Sequence, residues 1–111
     1  MATSAVVLFE AKFAENAQTT QYTSTLVTTS IDKFTATNVT GGAQTISVNL
    51  VPSGGAAGTS NTITFTKTIP AGKSYTFPEI VGHILAAGGF ISTLASAVSS
   101  IVIRASGRQF S

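Results

Sequence analysis

The sequence predicts an all-β fold, a single β-sandwich domain arranged as a jelly roll of about eight strands. Three observations carry that expectation. Only 9% of the 111 residues are charged while 43% are hydrophobic, against roughly a quarter charged in an ordinary soluble domain. Uncharged Thr and Ser stand in for the missing charge, and β-branched Thr suits a pleated strand better than a helix. Ten glycines punctuate the chain, and between the turns apolar and polar residues alternate with the period of half-buried strands. A chain of 111 residues buries roughly two-thirds of its unfolded surface, enough for one core. Residues 1–111 therefore read as one domain, and the apolar content argues against disorder.

Residues 1–16 read as an N-terminal strand or arm. Within it Val6–Phe13 alternates, with Val7, Phe9, Ala11 and Phe13 on one face and Glu10 and Lys12 opposite. Gln21–Val27 reads as a Thr-rich strand, and Lys33–Asn38 carries Phe34 and Ala36 before Gly41-Gly42 turns the chain. Ile46, Val48 and Leu50 then face one way while Thr45, Ser47 and Asn49 face the other. The small residues over 52–60, from Pro52 to Ser60, predict an exposed loop. In Thr62–Ile69 the four threonines at alternate positions oppose Ile63, Phe65, Lys67 and Ile69. That pattern puts Lys67 on the apolar side, where a nearby strand end would let its charge reach water.

Pro70-Ala71-Gly72 turns the chain into Ser74–Phe77, which places Tyr75 and Phe77 on a shared face. Pro78 and Glu79 suit a helix start, and Ile80, Val81, Ile84 and Leu85 follow at helical spacing. A short helix over 79–86 is expected to close one end of the sandwich. Phe90–Ala95 and Ser100–Ser106 complete the strands. The uncharged run Ile84–Ile103 is long enough to span a bilayer. It holds Ser92, Thr93, Ser96, Ser99, Ser100 and the Gly88-Gly89 pair, however, and divides into two alternating pieces. Two buried strands are expected, with no membrane partner. No secretory signal is read either, since Met1–Ala5 has no basic residue and Glu10 and Lys12 interrupt the apolar stretch.

The same composition leaves little reactive chemistry. Without cysteine, disulfides, thiolate nucleophiles and Cys-ligated metals are excluded. A Ser-His-Asp triad would have to use the lone histidine, His83, with Asp32, and no local motif sets a serine on a strained turn. The carboxylates Glu10, Glu15, Asp32 and Glu79 are too dispersed for a calcium cage. Gly72-Lys73-Ser74 lacks the earlier glycine of a phosphate loop, because position 67 is Lys, and a strand follows it instead of a helix. Asn38-Val39-Thr40 fits a glycosylation sequon, which arises readily by chance in Thr-rich sequence. No enzyme activity, metal, cofactor or small-molecule substrate is expected. Lys12, Lys33, Lys67, Lys73, Arg104 and Arg108 are scattered, forming no stripe for nucleic acid. A sugar-binding sandwich would use exposed aromatics, but Trp is absent and Tyr22, Tyr75 and most Phe fall at core positions.

What remains is a set of large side chains near the two ends of the chain. Phe9 and Phe13 lie in the N-terminal strand, and Arg108 and Phe110 in the C-terminal tail. Packed inside they are core. Exposed, they are candidate contacts with a partner or a second copy.

Ile31-Asp32-Lys33-Phe34-Thr35-Ala36-Thr37-Asn38, Val48-Asn49-Leu50-Val51-Pro52, Pro78-Glu79-Ile80-Val81-Gly82-His83-Ile84-Leu85 and the closing Ile103-Arg104-Ala105-Ser106-Gly107-Arg108 resemble small β proteins of tailed phages. The resemblance spans roughly residues 6–110, and in length and layout it is to the capsid decoration (staple or cement) proteins of short-tailed phages. Gly88-Gly89 departs from the Gly-Asp turn expected in many such proteins. The resemblance implies a jelly roll on the outer capsid surface of a virion, made in the cytoplasm of the host bacterium. There it would clamp neighbouring major capsid subunits, often as a homodimer, and the family has no catalytic residues to carry over. The alternatives are another phage structural module of tail, collar or fibre, or a sugar-binding sandwich.

Overall fold

The computed structural model describes residues 3–111; residues 1 and 2 of the expected N-terminal arm lie outside the described residues. The strands are β1 (Thr3–Phe13), β2 (Thr19–Thr23), β3 (Thr28–Asn38), β4 (Gln44–Val51) and β5 (Thr62–Ile69), followed by β6 (Ser74–Tyr75), β7 (Ile84–Leu85), β8 (Phe90–Ala95) and β9 (Ile101–Phe110). One sheet has the order β1-β9-β3-β6, with β7 also on β3, and the other β2-β8-β4-β5. The chain is in effect folded double. β4 lies beside β5, β3 beside β6, β2 beside β8 and β1 beside β9, all antiparallel. Successive pairs fall in alternate sheets, and rolling the doubled chain brings β9 onto β3 and β8 onto β4. That is the jelly roll the alternation predicts.

Between the sheets lies a core built on Ile31, Phe34, Ile46, Val48, Ile91 and Ile103, all fully buried. An edge-on aromatic ladder runs across it. Phe9 meets Phe34 at 5.6 Å, Phe34 meets Phe77 at 4.7 Å, and Phe77 meets Tyr75 at 4.7 Å between ring centroids. Each such pair contributes about 0.5–1.5 kcal/mol beyond the area it buries.

Bulges change which side chains reach that core. Against β9, the register of β1 slips between Val7 and Phe9 and again between Phe9 and Lys12. One extra residue reverses the in–out parity of everything after it. Leu8 and Phe9 are consequently both buried, while Val7 and Phe13 face outward, so the single apolar face expected over Val6–Phe13 does not exist. The β4–β5 pair slips in the same way. There Thr66 sits at φ 44° and its N–H donates to Ser47 Oγ at 2.8 Å. Thr64 turns inward and Phe65 is left 71% exposed, the reverse of the expected alternation.

The helix expected over 79–86 does not form. Phe77 takes φ 49°, and its carbonyl accepts from the N–H groups of Ile80 at 3.0 Å and Val81 at 3.1 Å. After that single turn β3 captures the chain: the Gly82 N–H donates to the Ile31 carbonyl at 2.7 Å, and the Ile31 N–H to the His83 carbonyl at 2.9 Å. Ile84 and Leu85 then pair with Ser30 and Thr29 as β7. A helix this short has a costly nucleus and would leave the edge of β3 without partners, whereas the strand satisfies both.

Two other boundaries move. The expected strand Gln21–Val27 is β2 followed by a turn, and β3 begins at Thr28 instead of Lys33. Buried hydroxyls account for this. Ser24 Oγ and Thr29 Oγ1 lie 2.7 Å apart, Tyr22 Oη lies 2.9 Å from Thr29 Oγ1, and Gln109 Nε2 donates to Tyr22 Oη at 2.7 Å. That end of the interior is closed by polar contacts, which leave no apolar alternation in the sequence. At the other boundary, β9 runs on past Ser106 because residue 107 is Gly. A Cβ there would collide with the Ser30 carbonyl oxygen and lie 3.1 Å from the Ser30 carbonyl carbon. The uncharged run 84–103 becomes β7, β8 and the start of β9, and no helix among the described residues is long and apolar enough to cross a membrane.

Candidate functional site

The outward face of β1, β9 and β3 carries three of the four contact residues expected from the sequence. Phe9 is the exception: it is only 8% exposed and packs on Phe34, because the bulge after Val7 turns it inward. Phe13 is half-exposed in register with Val102. Arg108 grips Asp32 with a fork, Nε to Oδ2 at 2.9 Å and Nη2 to Oδ1 at 3.1 Å. Its guanidinium also lies 5.8 Å from the centroid of the Phe110 ring. The hydrogen bonds and charge of Asp32 raise the Arg108 pKa further, but an exposed ion pair contributes little to stability. Arg108 and Phe110 thus form one unit, whereas Phe13 stands apart. Phe110 is opposite Thr3 and Phe13 opposite Val102, which at about 3.3 Å per strand residue puts them roughly 30 Å apart.

Sequence reasoning missed the most exposed large apolar side chain among the described residues. Leu26 is 90% exposed at the tip of the β2–β3 turn, with φ 61°, a left-handed conformation that a leucine rarely takes. The base of the turn is anchored. Ser24 N–H donates to the Gly89 carbonyl at 2.8 Å, Gly88 N–H to the Ser24 carbonyl at 2.6 Å, and Ser24 Oγ to the Val27 carbonyl at 2.6 Å. Phe65, Val98 and Ile84 are also well exposed. Only Phe65 had a signal in the sequence, namely that strict alternation would have placed Lys67 in the core. For Leu26 the pattern gave none.

The polar clusters are paired within themselves. Glu79 accepts from Thr64 Oγ1 and from Tyr75 Oη, each at 2.6 Å, and so ties β5 of one sheet to β6 of the other. Lys67 lies 4.6 Å above the Tyr75 ring. Burial works to raise the Glu79 pKa, but the two hydroxyl donors, with help from the Lys67 charge, hold it below its ordinary value. The hydrogen bond to Glu79, together with burial, pushes the Tyr75 phenol up to about 12. Across the sandwich, Glu15 accepts from Gln21 Nε2 at 2.8 Å and Lys12 Nζ at 3.0 Å; the Gln21 bond leads in lowering its pKa.

His83 is exposed. Among the described residues Asp32 is bonded by Arg108 and Ser30, with no bond to His83, and no group of three His, Asp or Glu is placed to hold a metal. Two open clefts lie on the surface, one of about 230 Å³ between Leu50, Pro52, Ile84 and Leu85 and one of about 300 Å³ beside Thr59, Thr62 and Phe65, at or below the lower end of the roughly 300–1,000 Å³ of small-molecule sites. Taken together, fold and surface describe a jelly roll with exposed apolar side chains at Leu26, Phe65, Val98 and Ile84 and a half-exposed Phe13. Comparison with protein families, curated proteins and solved structures found no match.

Proposed function

We propose that this chain is a structural protein of a phage virion that binds the outer surface of the capsid and clamps neighbouring major capsid subunits, acting as a homodimer. The observation that carries this reading is Leu26. Its side chain is almost wholly exposed on a rigidly anchored turn whose left-handed backbone disfavours leucine. Two unfavourable features at one residue are what a contact surface retains and a solvent-facing turn does not. Phe65 in β5 of one sheet, and Ile84 and Phe13 in β7 and β1 of the other, add further exposed apolar points. A clamp must touch more than one neighbour, and a spread of separate anchors suits that better than one continuous patch.

The physics of clamping needs no reactive group. Thr and Ser on the sheet faces hydrogen-bond across a contact without the desolvation of unpaired charge. Many copies on one shell add avidity to modest single contacts. Binding the assembled shell in preference to free subunits stabilises that shell by linkage. Co-sedimentation with mature shells that lack the protein tests this, followed by heating the shells with and without it. The expected result is saturable binding at a fixed ratio to coat protein and a higher rupture temperature. Absence of binding overturns the capsid reading; binding to tails or fibres in its place would identify a tail, collar or fibre component.

A further inference from the structure

We infer that the first five described residues, Thr3–Val7, are a self-pairing edge through which two copies of this chain join β1 to β1 in a continuous antiparallel sheet. The inference deepens the homodimer of the proposed function; it rests on the edge itself and not on the capsid. Among the described residues β1 is the end strand of its sheet, with β9 on one side and no strand on the other. An open edge offers a row of unpaired backbone donors and acceptors, and proteins ordinarily blunt such edges with bulges, charge, proline or brevity.

Every other edge of this jelly roll is blunted. β6 and β7 are two residues each. β2 has five residues, with a register shift between Thr20 and Tyr22. β5 carries two shifts, Thr66 at φ 44° and the charge of Lys67. The second half of β1 has its own two shifts and the charged pair Glu10 and Lys12. Among edge segments of more than three residues, Thr3–Val7 keeps unbroken register, residue by residue against Phe110–Ser106. It contains no charge, glycine or proline.

The segment is also complementary to itself. A twofold axis at Ala5 sets Ala5 opposite Ala5, Thr3 opposite Val7 and Ser4 opposite Val6. No like charges meet, and small or β-branched residues face each other throughout, which suits cross-strand pairing. The exposed side chain of Val7 is then covered by Thr3 of the second copy. The bulge that follows Val7 ends the pairing and fixes its register, so the contact closes as a dimer and does not slide.

Charge at the axis tests the pairing: Ala5 is exposed and stands opposite Arg108 on β9, so thermal unfolding of each variant is compared with that of the natural chain to separate dissociation from loss of fold. Sedimentation equilibrium is run on the natural chain, on Ala5→Lys, on Ala5→Glu and on an equimolar mixture of the two variants. The natural chain is expected to be a dimer. Ala5→Lys should dissociate at least roughly tenfold more readily, since two lysines then face each other across the axis beside the two Arg108 side chains; Ala5→Glu should dissociate less strongly than the lysine variant because Arg108 offsets its charge, and the mixture should recover the dimer as a Lys–Glu pair. A monomeric natural chain overturns the inference, and so does a dimer that both variants leave intact. Shell co-sedimentation is scored separately. A monomeric chain that still binds shells refutes the β1 pairing and spares the capsid reading, and a dimer that binds none does the opposite.

Discussion

Replacing Leu26 by Asn should stabilise the folded domain and weaken its binding to a shell, a combination that a purely structural residue does not produce. In the left-handed region an ordinary L-residue loses roughly 1–2 kcal/mol, whereas Asn is tolerated there. Leu26 is 90% exposed, so removing it takes no packing from the core. A net gain of about 0.5–1 kcal/mol follows if Asn recovers half of the strain. With an unfolding entropy of about 2.1 cal/mol/K per residue, a domain of this length should melt roughly 2–4 °C higher. At the shell the sign reverses. Burying a leucine side chain at a contact contributes about 1.5–3 kcal/mol, so each contact should weaken roughly ten- to hundredfold. Thermal unfolding by circular dichroism reads the first effect and titrated co-sedimentation the second. A variant that melts lower refutes the strain at Leu26. One that binds shells as the natural chain does refutes its role as an anchor.

Other substitutions probe the interior. Phe9→Ala should lose about 3–5 kcal/mol as a cavity forms beside Phe34, while Phe13→Ala should stay within about 1 kcal/mol; equal effects in denaturant titrations would contradict the β1 bulges. Gly107→Ala should lose about 3 kcal/mol, since the new Cβ meets backbone atoms of β3 that cannot swing aside, and a melting temperature unchanged from the natural chain would show that the strands are not so close. At Glu79 a depressed carboxyl gives stability that is present above its ordinary pKa of 4.5 and lost as pH falls through the folded value. Tyr75, raised from 10.0 to about 12, contributes stability below pH 10 that fades as pH climbs towards 12. Glu79→Gln should therefore flatten the stability profile at both extremes and weaken the domain at neutral pH by about 1–2 kcal/mol; an unchanged profile would mean that Glu79 does not tie the two sheets.

The strands that read most plainly in the sequence are those whose alternation answers to one core without interruption. β4 and β8 lie in the middle of their sheet, and Ile46, Val48 and Ile91 face inward as their spacing indicates. Where a bulge intervenes, the same pattern misleads. Val7, Phe13 and Phe65 leave the apolar side that their spacing gives them because inserted residues reverse the parity of the strand, and nothing within β1 announces the insertion. The polar interior at Tyr22, Ser24 and Thr29 was illegible for a different reason: hydroxyls that satisfy one another look in sequence like surface residues. Of the four expected contact residues, Arg108 and Phe110 do stand together and Phe13 does face outward, but the most prominent point on the surface, Leu26, belongs to a turn that the pattern placed at the end of a strand.

By itself the sequence determined the class of structure: a charge-poor, Thr-rich chain with period-two alternation folds as a layered β domain. The tertiary structure decided everything that depends on which strand lies beside which. Strand order placed β1 at an open edge, the capture of residues 82–85 by β3 replaced a helix with a strand, and register slips chose which aromatics are core and which are surface. Those outcomes rest on backbone hydrogen bonds between residues far apart in the chain, and such bonds are set by which neighbour is available, a property that no local pattern of side chains contains.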